Sequence, residues 1–522
     1  MKVEKTFTYL ILFLLPLLSF GQQRWETVFG NPDVGDYPKT LTNSYDGGAL
    51  LCGINDLQES FIYKTDRNGN VLWHKLFIGA RFSAIAEDEI GNKVAVGNVL
   101  NNSFILFIDK CGELIWYKEF VNEQNYYQNN FRGVIIENNS ILVLGHFVEP
   151  DYNNIMNLLS FDYEGNLLWM NEYLNPKNDP LLGKYFSSHH LQKVNGNYFI
   201  TGFCYYAYPE NPDLFFSRAM FVKVDSMYNR DWFLPYGMSD HLDAISEGVI
   251  QLDSLKYRGY GRYFVDNTDT LNSIFLDFDA SGNEIGHKGI PNNTISPEVK
   301  ENDLRALNII NDSTYLITAA VGSLPKTVNP MGEWTMDSSG TVYNYQNHPG
   351  VSTTLNPTIR TVDNKFMFLG RFQNSTEDII LYKLNADLSQ ADIDTNTYSY
   401  DSLCEDLPID SDTIYLDNCS IITSIEEAST SQEYYSFIKT IPVDVFPNPA
   451  TSDISFEIGN TSYHENILLS CFDINGKLIF EQSVHPGQTK VKSSVANWQS
   501  GLYIAVTSSS TGGTGSTKFV VR

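Results

Sequence analysis

Ser60-Phe-Ile-Tyr-Lys-Thr-Asp66-Arg-Asn-Gly69-Asn-Val-Leu-Trp73-His-Lys-Leu-Phe77 is echoed by Ser103-Phe-Ile-Leu-Phe-Ile-Asp109-Lys-Cys-Gly112-Glu-Leu-Ile-Trp116-Tyr-Lys-Glu-Phe120. A third copy runs Leu158-Leu-Ser-Phe-Asp162-Tyr-Glu-Gly165-Asn-Leu-Leu-Trp169, and a fourth joins Phe221-Val-Lys-Val-Asp225 to Trp232. The Asp-to-Trp spacing is seven residues in all four. Each copy reads as a β-strand, a tight turn and a second strand, because alternating apolar runs flank Asp and Gly. Later copies decay. Asp279-Ala-Ser-Gly282 and Asp337-Ser-Ser-Gly340 keep the turn, and Ile379-Ile-Leu-Tyr-Lys-Leu-Asn385 keeps only the strand.

A further strand ending near Gly precedes each copy, as in Ala49-Leu-Leu-Cys-Gly53, Lys93-Val-Ala-Val-Gly97, Ile141-Leu-Val-Leu-Gly145, Tyr198-Phe-Ile-Thr-Gly202 and Phe366-Met-Phe-Leu-Gly370. Seven such units occur at a mean period of about 53 residues, the size of a four-stranded propeller blade with loop insertions. Trp25-Glu-Thr-Val-Phe29 matches Trp73-His-Lys-Leu-Phe77 but stands alone, and the last unit lacks this strand. Trp25 and Phe29 are therefore expected to supply the missing outer strand of the last blade and close the ring, leaving only short strand edges. The expected fold is all-β: a seven-bladed β-propeller over 22–397, with six or eight blades as near alternatives, followed by a small Ig-like β-sandwich.

The repeated residues Asp66, Gly69, Trp73, Asp109, Gly112, Trp116, Asp162, Gly165, Trp169, Asp225 and Trp232 read as structural. Asp caps the turn, Gly takes the positive-φ position and Trp packs between blades. The pattern resembles the repeats of quinoprotein-like propellers, in which a similar tryptophan docks neighbouring blades. The spacing is one residue shorter before the Gly, so that family's cofactor does not transfer. Segments such as Asp66-Arg-Asn-Gly-Asn70 are fragments of a calcium loop, which needs six to eight oxygens. No cofactor is expected, and calcium is the one metal left open.

The start, Met1-Lys-Val-Glu-Lys5 followed by an apolar run to Phe20, reads as a secretory signal peptide over 1–21. The run is too short and too broken by Pro16 to span a bilayer. No other segment is long enough either. At the other end stand Phe446-Pro447-Asn448-Pro449, Asp473-Ile-Asn-Gly476, Gly501-Leu-Tyr503 and Lys518 in the final strand. Asn475-Gly476 between apolar runs is a hairpin turn. The region 441–522 resembles the type A C-terminal sorting domain of Bacteroidetes proteins exported by type IX secretion. The resemblance implies passage through the outer membrane to the surface or medium. It implies the translocon and its sorting-domain peptidase as partners.

The chain of 522 residues carries 35 Lys+Arg against 62 Asp+Glu, a net charge of −27, which argues against nucleic acid as partner. An exported protein can keep disulfides. Cys404 and Cys419 are the expected pair, clipping a polar linker over 398–440. Cys52 and Cys204 fall in apolar strands and read as buried thiols.

No catalytic set stands out. There is neither H-E-x-x-H nor G-x-S-x-G, and Gly512-Gly-Thr-Gly-Ser-Thr-Lys518 lacks the phosphate-loop ending. His189-His190 reads as an ordinary strand entry, since adjacent strand residues face opposite ways. Tyr- and Asn-rich loops, such as Tyr205-Tyr-Ala-Tyr208, suit sugar or peptide recognition. The chain is expected to be a non-catalytic binding or adhesion protein for an extracellular glycan or protein. The alternatives are a polysaccharide- or peptide-degrading enzyme with its site in the channel, and a structural surface component. Fold alone does not choose, because propellers host both enzymes and binders.

Overall fold

In the computed structural model each repeat is a four-stranded antiparallel meander. The structure describes residues 26–99, 102–121, 128–137, 140–148, 154–173, 182–208, 211–236, 243–264, 271–322, 330–373, 376–404, 409–416, 420–424, 443–458, 467–474, 477–485, 488–509 and 514–522. The segment 1–21 expected as a signal peptide, Trp25, Cys419 and Gly476 lie outside these residues.

Blade 1 runs from the channel outward through Asp36–Asn43, Ala49–Asn55, Ser60–Thr65 and Val71–Ile78. Blades 2 to 5 repeat this order over 81–121, 128–173, 182–236 and 244–290. Blade 6 uses Glu301–Asn311, Thr314–Gly322, Pro330–Asp337 and the first part of the long strand Val342–Arg360. The same strand then becomes the innermost strand of blade 7, pairing with Phe366–Phe372, which pairs with Asp378–Leu384. The outer strand of blade 7 is Glu26–Phe29, antiparallel to Asp378–Leu384 with Phe29 opposite Ile379. The ring thus has seven blades and closes with the N-terminal strand.

Burial follows the layering. The third strand of blade 2, Asn102–Ile108, is buried at six of its seven positions, whereas the outer strand Val71–Ile78 alternates. Apolar side chains from facing blades merge into shared cores, such as Phe77, Phe82, Phe104 and Tyr117 between blades 1 and 2.

The Asp turns are built as their residue types dictate. Asp66 Oδ1 accepts from the backbone N–H groups of Asn68 at 2.8 Å and Asn70 at 2.9 Å. Asp109, Asp162, Asp225 and Asp279 accept from the N–H four residues on in the same way. These carboxylates are occupied by turn donors, and no group of three metal-binding side chains occurs among the described residues. Gly69, Gly112 and Gly165 have φ near +80°, and in blade 4 Tyr228 takes this position with φ 64°. The Trp of one blade reaches the turn of the next. Trp116 Nε1 donates to Tyr163 O at 2.7 Å, Trp232 Nε1 to Ala280 O at 3.0 Å, and Trp169 lies 4.5 Å from Tyr228. A Cβ at Gly282 would stand 2.7 Å from the Trp232 ring. The repeat Gly therefore serves its own turn and makes room for the neighbour's indole.

The described part of the segment expected as a linker, 398–404, 409–416 and 420–424, belongs to the propeller unit. Trp25, the repeat Trp of blade 7, lies outside the described residues, and the tail docks on the blade 1 turn. Asn68 and Asp394 exchange two hydrogen bonds of 2.8 Å, and the Arg67 guanidinium lies 3.5 Å over the Tyr398 ring. Trp73 Nε1 donates to Asp401 at 3.1 Å. Asp412–Tyr415 then pairs in parallel with Val71–Ile78, and Ser420–Ser424 with Leu114–Val121, covering the outer edges of blades 1 and 2. The expected Cys404–Cys419 bridge is corrected: Cys404 is bonded to Cys111, in the Asp turn of blade 2 and 293 residues away. The local loop argument failed because the tail lies against that turn, with Ile409 Cγ2 2.8 Å from where a Gly112 Cβ would be. Cys52, Cys204 and Cys471 are buried.

The C-terminal unit has its own core, centred on Phe456, Leu469, Tyr503 and Phe519. A three-stranded sheet (Val443–Phe446, Asp453–Ile458, Lys490–Ser494) and a four-stranded one (Leu478–Val484, Ile467–Asp473, Gly501–Ser509, Thr514–Val521) form it. Asn448, between Pro447 and Pro449, clips the last strand: its Oδ1 accepts from Val520 N at 2.9 Å. Tyr503 donates to Gln499 O at 2.6 Å, and Lys518 pairs with Ile504 of the Gly501 strand.

Candidate functional site at the channel mouth

The innermost strand of every blade carries a register irregularity, and these fall at equivalent places. The residues skipped in pairing are Lys39, Ser83, Arg132, His189, Glu247 and Arg305, with 354–357 in blade 7. A β-bulge leaves its extra residue unpaired and bends the strand, which re-aims side chains. Seven such bulges concentrate side chains around one level of the channel.

The Gly of the second strand is the counterpart of the bulge. A Cβ on Gly53, Gly97, Gly202 or Gly261 would stand 2.3, 1.9, 1.9 or 2.1 Å from the carbonyl oxygen of Tyr37, Arg81, Ser187 or Ile245. Each of these carbonyls belongs to the residue two before the skipped one. Only Gly admits that approach.

Bulge residues from blades 1 to 4, with Leu355 and Asn356 of blade 7, line a cavity of about 510 Å³. Its lining has three cationic side chains, Lys39, Arg81 and Arg132, and no Asp or Glu. Amide and hydroxyl groups of Asn98, Asn130, Gln192, Ser83 and Thr40 complete much of the rest. Burial lowers the pKa of both Lys39 and Arg132. Neither makes a carboxylate pair among the described residues.

His189 and His190 both line this cavity, because the bulge between Ser188 and His190 breaks strict alternation. Their reading as an ordinary strand entry is thereby revised. Burial brings His189 down to about 4, and the charges of His190, Arg132 and Arg262 push the same way. Neighbouring His146 is 4% exposed and held at about 3 by burial, with Arg132 and His189 contributing. His190 Nε2 lies 3.0 Å from Glu247 Oε2. Burial pushes the Glu247 carboxyl upward, but the His190 hydrogen bond and the Arg305 and Arg262 charges outweigh it and hold the group at about 2. Arg262 donates to both Glu247 and Asp303 at 2.6 Å. The carboxylates near the mouth are thus consumed on the blade 5 and 6 side, which leaves the blade 1 to 3 side cationic.

Of the residues singled out in the sequence, the Asp, Gly and Trp set builds turns and blade contacts and does not line this cavity. Apart from His189 and His190, the cavity residues escaped notice because the bulge positions share no common residue type: Lys39, Ser83, Arg132, His189, Glu247 and Arg305. The recurrent second-strand Gly was the available signal.

Residues 444–522 match the family described as the secretion system C-terminal sorting domain. No curated protein matches the chain. Among solved structures, the chain is similar to the β-propeller domain of the Trilobed protease from Pyrococcus furiosus, described as having an open velcro topology (11% identity, TM-score 0.40, covering 70% of this chain and 99% of that one). It is similar to the WD40 domain of SCAP from fission yeast (9% identity, TM-score 0.32, 68% and 98%) and to an endo-arabinase from Bacteroides thetaiotaomicron (10% identity, TM-score 0.32, 49% and 94%). The ring of seven four-stranded blades and the match over 444–522 make this a β-propeller protein carrying a type IX sorting domain. Such a domain marks its carrier as cargo for the cell surface or the medium. No helix among the described residues is long and apolar enough to cross a membrane.

Proposed function

We propose that this is an exported binding protein that takes its ligand at the channel mouth, in the cavity ringed by the inner-strand bulges. The observation that carries the reading is that cavity: about 510 Å³, polar, and lined by side chains from five blades. Its size suits a small ligand or the end of a larger one. The sorting domain engages the secretion machinery and is then removed by its peptidase. The test is a glycan and peptide array with the purified protein. Saturable binding that is lost when Asn130 and Arg132 are both replaced supports the reading, and silence on all ligands counts against it.

One observation favours the enzyme reading. His190 lines the cavity and is oriented by the Glu247 carboxylate, the arrangement of a general base. Turnover of a bound ligand that disappears in His190→Gln, with binding retained, would move the protein to that class.

A further inference from the structure

The geometry points to an anionic sugar unit as the ligand of the channel mouth, held by Arg132 and Lys39. This rests on the binding reading above and names its ligand chemistry. Three cations from three blades meet in one cavity without an acidic residue in its lining, in a chain of net charge −27. Elsewhere near the channel the acids and bases are matched: Glu247 and Asp303 hold Arg262 and Arg305 at 2.5 to 3.4 Å. Arg371, at a neighbouring small cavity, has Glu377 at 3.6 Å and the Tyr37 ring at 5.0 Å. Arg132 and Lys39 have no such counter-charge among the described residues, and burial already lowers their pKa values. A buried charge is costly until it is paired. A bound anion supplies the missing partner, and the Arg fork suits a planar carboxylate or a sulfate.

The rest of the lining specifies more than a bare anion. Asn130 and Ser83 add an amide and a hydroxyl, Gln192 is tied through its Oε1 to Val249 N at 2.9 Å, and the rings in the lining are Phe82 and the His189 and His190 imidazoles. That set matches a polyhydroxylated ring and does not suit an apolar or extended aromatic ligand. The acidic exterior opposes a long polyanion, whereas one charged unit inserted into the mouth meets mainly the local cations. The expected ligand is therefore a carboxylated or sulfated sugar at a chain end.

The experiment is calorimetric titration of the full protein with three trisaccharides sharing one backbone: one with a terminal uronate, one with a terminal sulfate ester, and the neutral parent. Arg132→Gln and Lys39→Gln are titrated in parallel, with thermal melts to confirm folding. The expected result is binding of a charged trisaccharide that weakens with salt and drops about tenfold or more in each variant. The preferred arm tells carboxylate from sulfate. Equal binding of the neutral parent, abolished by Asn130→Ala but unchanged in Arg132→Gln, overturns the anion inference and leaves the channel reading standing. Charged-sugar binding indifferent to all three substitutions overturns both. Failure of all three trisaccharides to bind the folded protein overturns the sugar inference, and the array then decides the broader reading.

Discussion

At the scale of single residues, the second-strand Gly and the inner-strand bulge form one device. Gly97→Ala places a Cβ 1.9 Å from the Arg81 carbonyl and should cost about 1–3 kcal/mol or more, read by urea unfolding. Gly286→Ala, where nothing lies within 4 Å, should change stability by no more than about 0.5 kcal/mol. Equal effects at the two sites would contradict the steric account. Glu247 holds His190, Arg262 and Arg305, so Glu247→Gln should destabilise by about 3–5 kcal/mol by stranding buried positive charge. The Asp turns were legible in the sequence because their chemistry is local: a carboxylate, two N–H groups and one left-handed residue. His189 and His190 were not, because strand alternation predicts one of them facing away, and the bulge that overrules it is a property of the paired strand.

At the scale of elements, the tail decides how the ring is finished. Its hydrogen bonds to the blade 1 turn, its two added parallel strands and the Cys111–Cys404 bond all lie on blades 1 and 2. A non-reducing digest should yield a peptide joining Cys111 to Cys404. Cys404→Ser should lower stability, by up to about 5 kcal/mol in the chain-entropy model for so long a loop. Recovery of a Cys404–Cys419 peptide instead would refute the assigned pairing. The closing strand around Phe29 was legible because it copies an existing repeat unit and the last blade lacks that unit. The disulfide partner was not, because nothing in the spacing of six cysteines says that residue 404 returns to the turn at residue 111.

At the scale of the whole molecule, two buried histidines lower stability in acid, against a smaller opposite contribution from Asp36, whose carboxyl is pushed up to about 6 by burial. His146 and His189 take up protons near pH 6.5 in the unfolded chain, but only at about 3 and about 4 in the fold. The unfolded state therefore binds more protons as pH falls through this window, and stability falls with it. The slope reaches up to about 1.4 kcal/mol per pH unit for each ring. Glu247 adds to the same trend at lower pH: its contribution is present above about 4.5 and is lost as pH falls toward about 2. Melting temperatures recorded from pH 7.5 to 4 should decline, and His146→Gln should flatten the upper part of the decline. A flat wild-type profile would show that these rings protonate within the fold.

The sequence by itself determined the all-β class, the blade repeat with its Asp turns and docking tryptophans, the N-terminal closing strand and the sorting domain. These features are written in short windows, where spacing and residue type report local geometry directly, and a repeat multiplies the signal. Only the tertiary structure decided the route of the tail, the Cys111–Cys404 pairing and the cationic channel mouth. Those depend on which distant residues meet when seven blades close a ring. The side chains gathered there come from five separate blades and follow no repeated residue pattern, so no single stretch of sequence carries them.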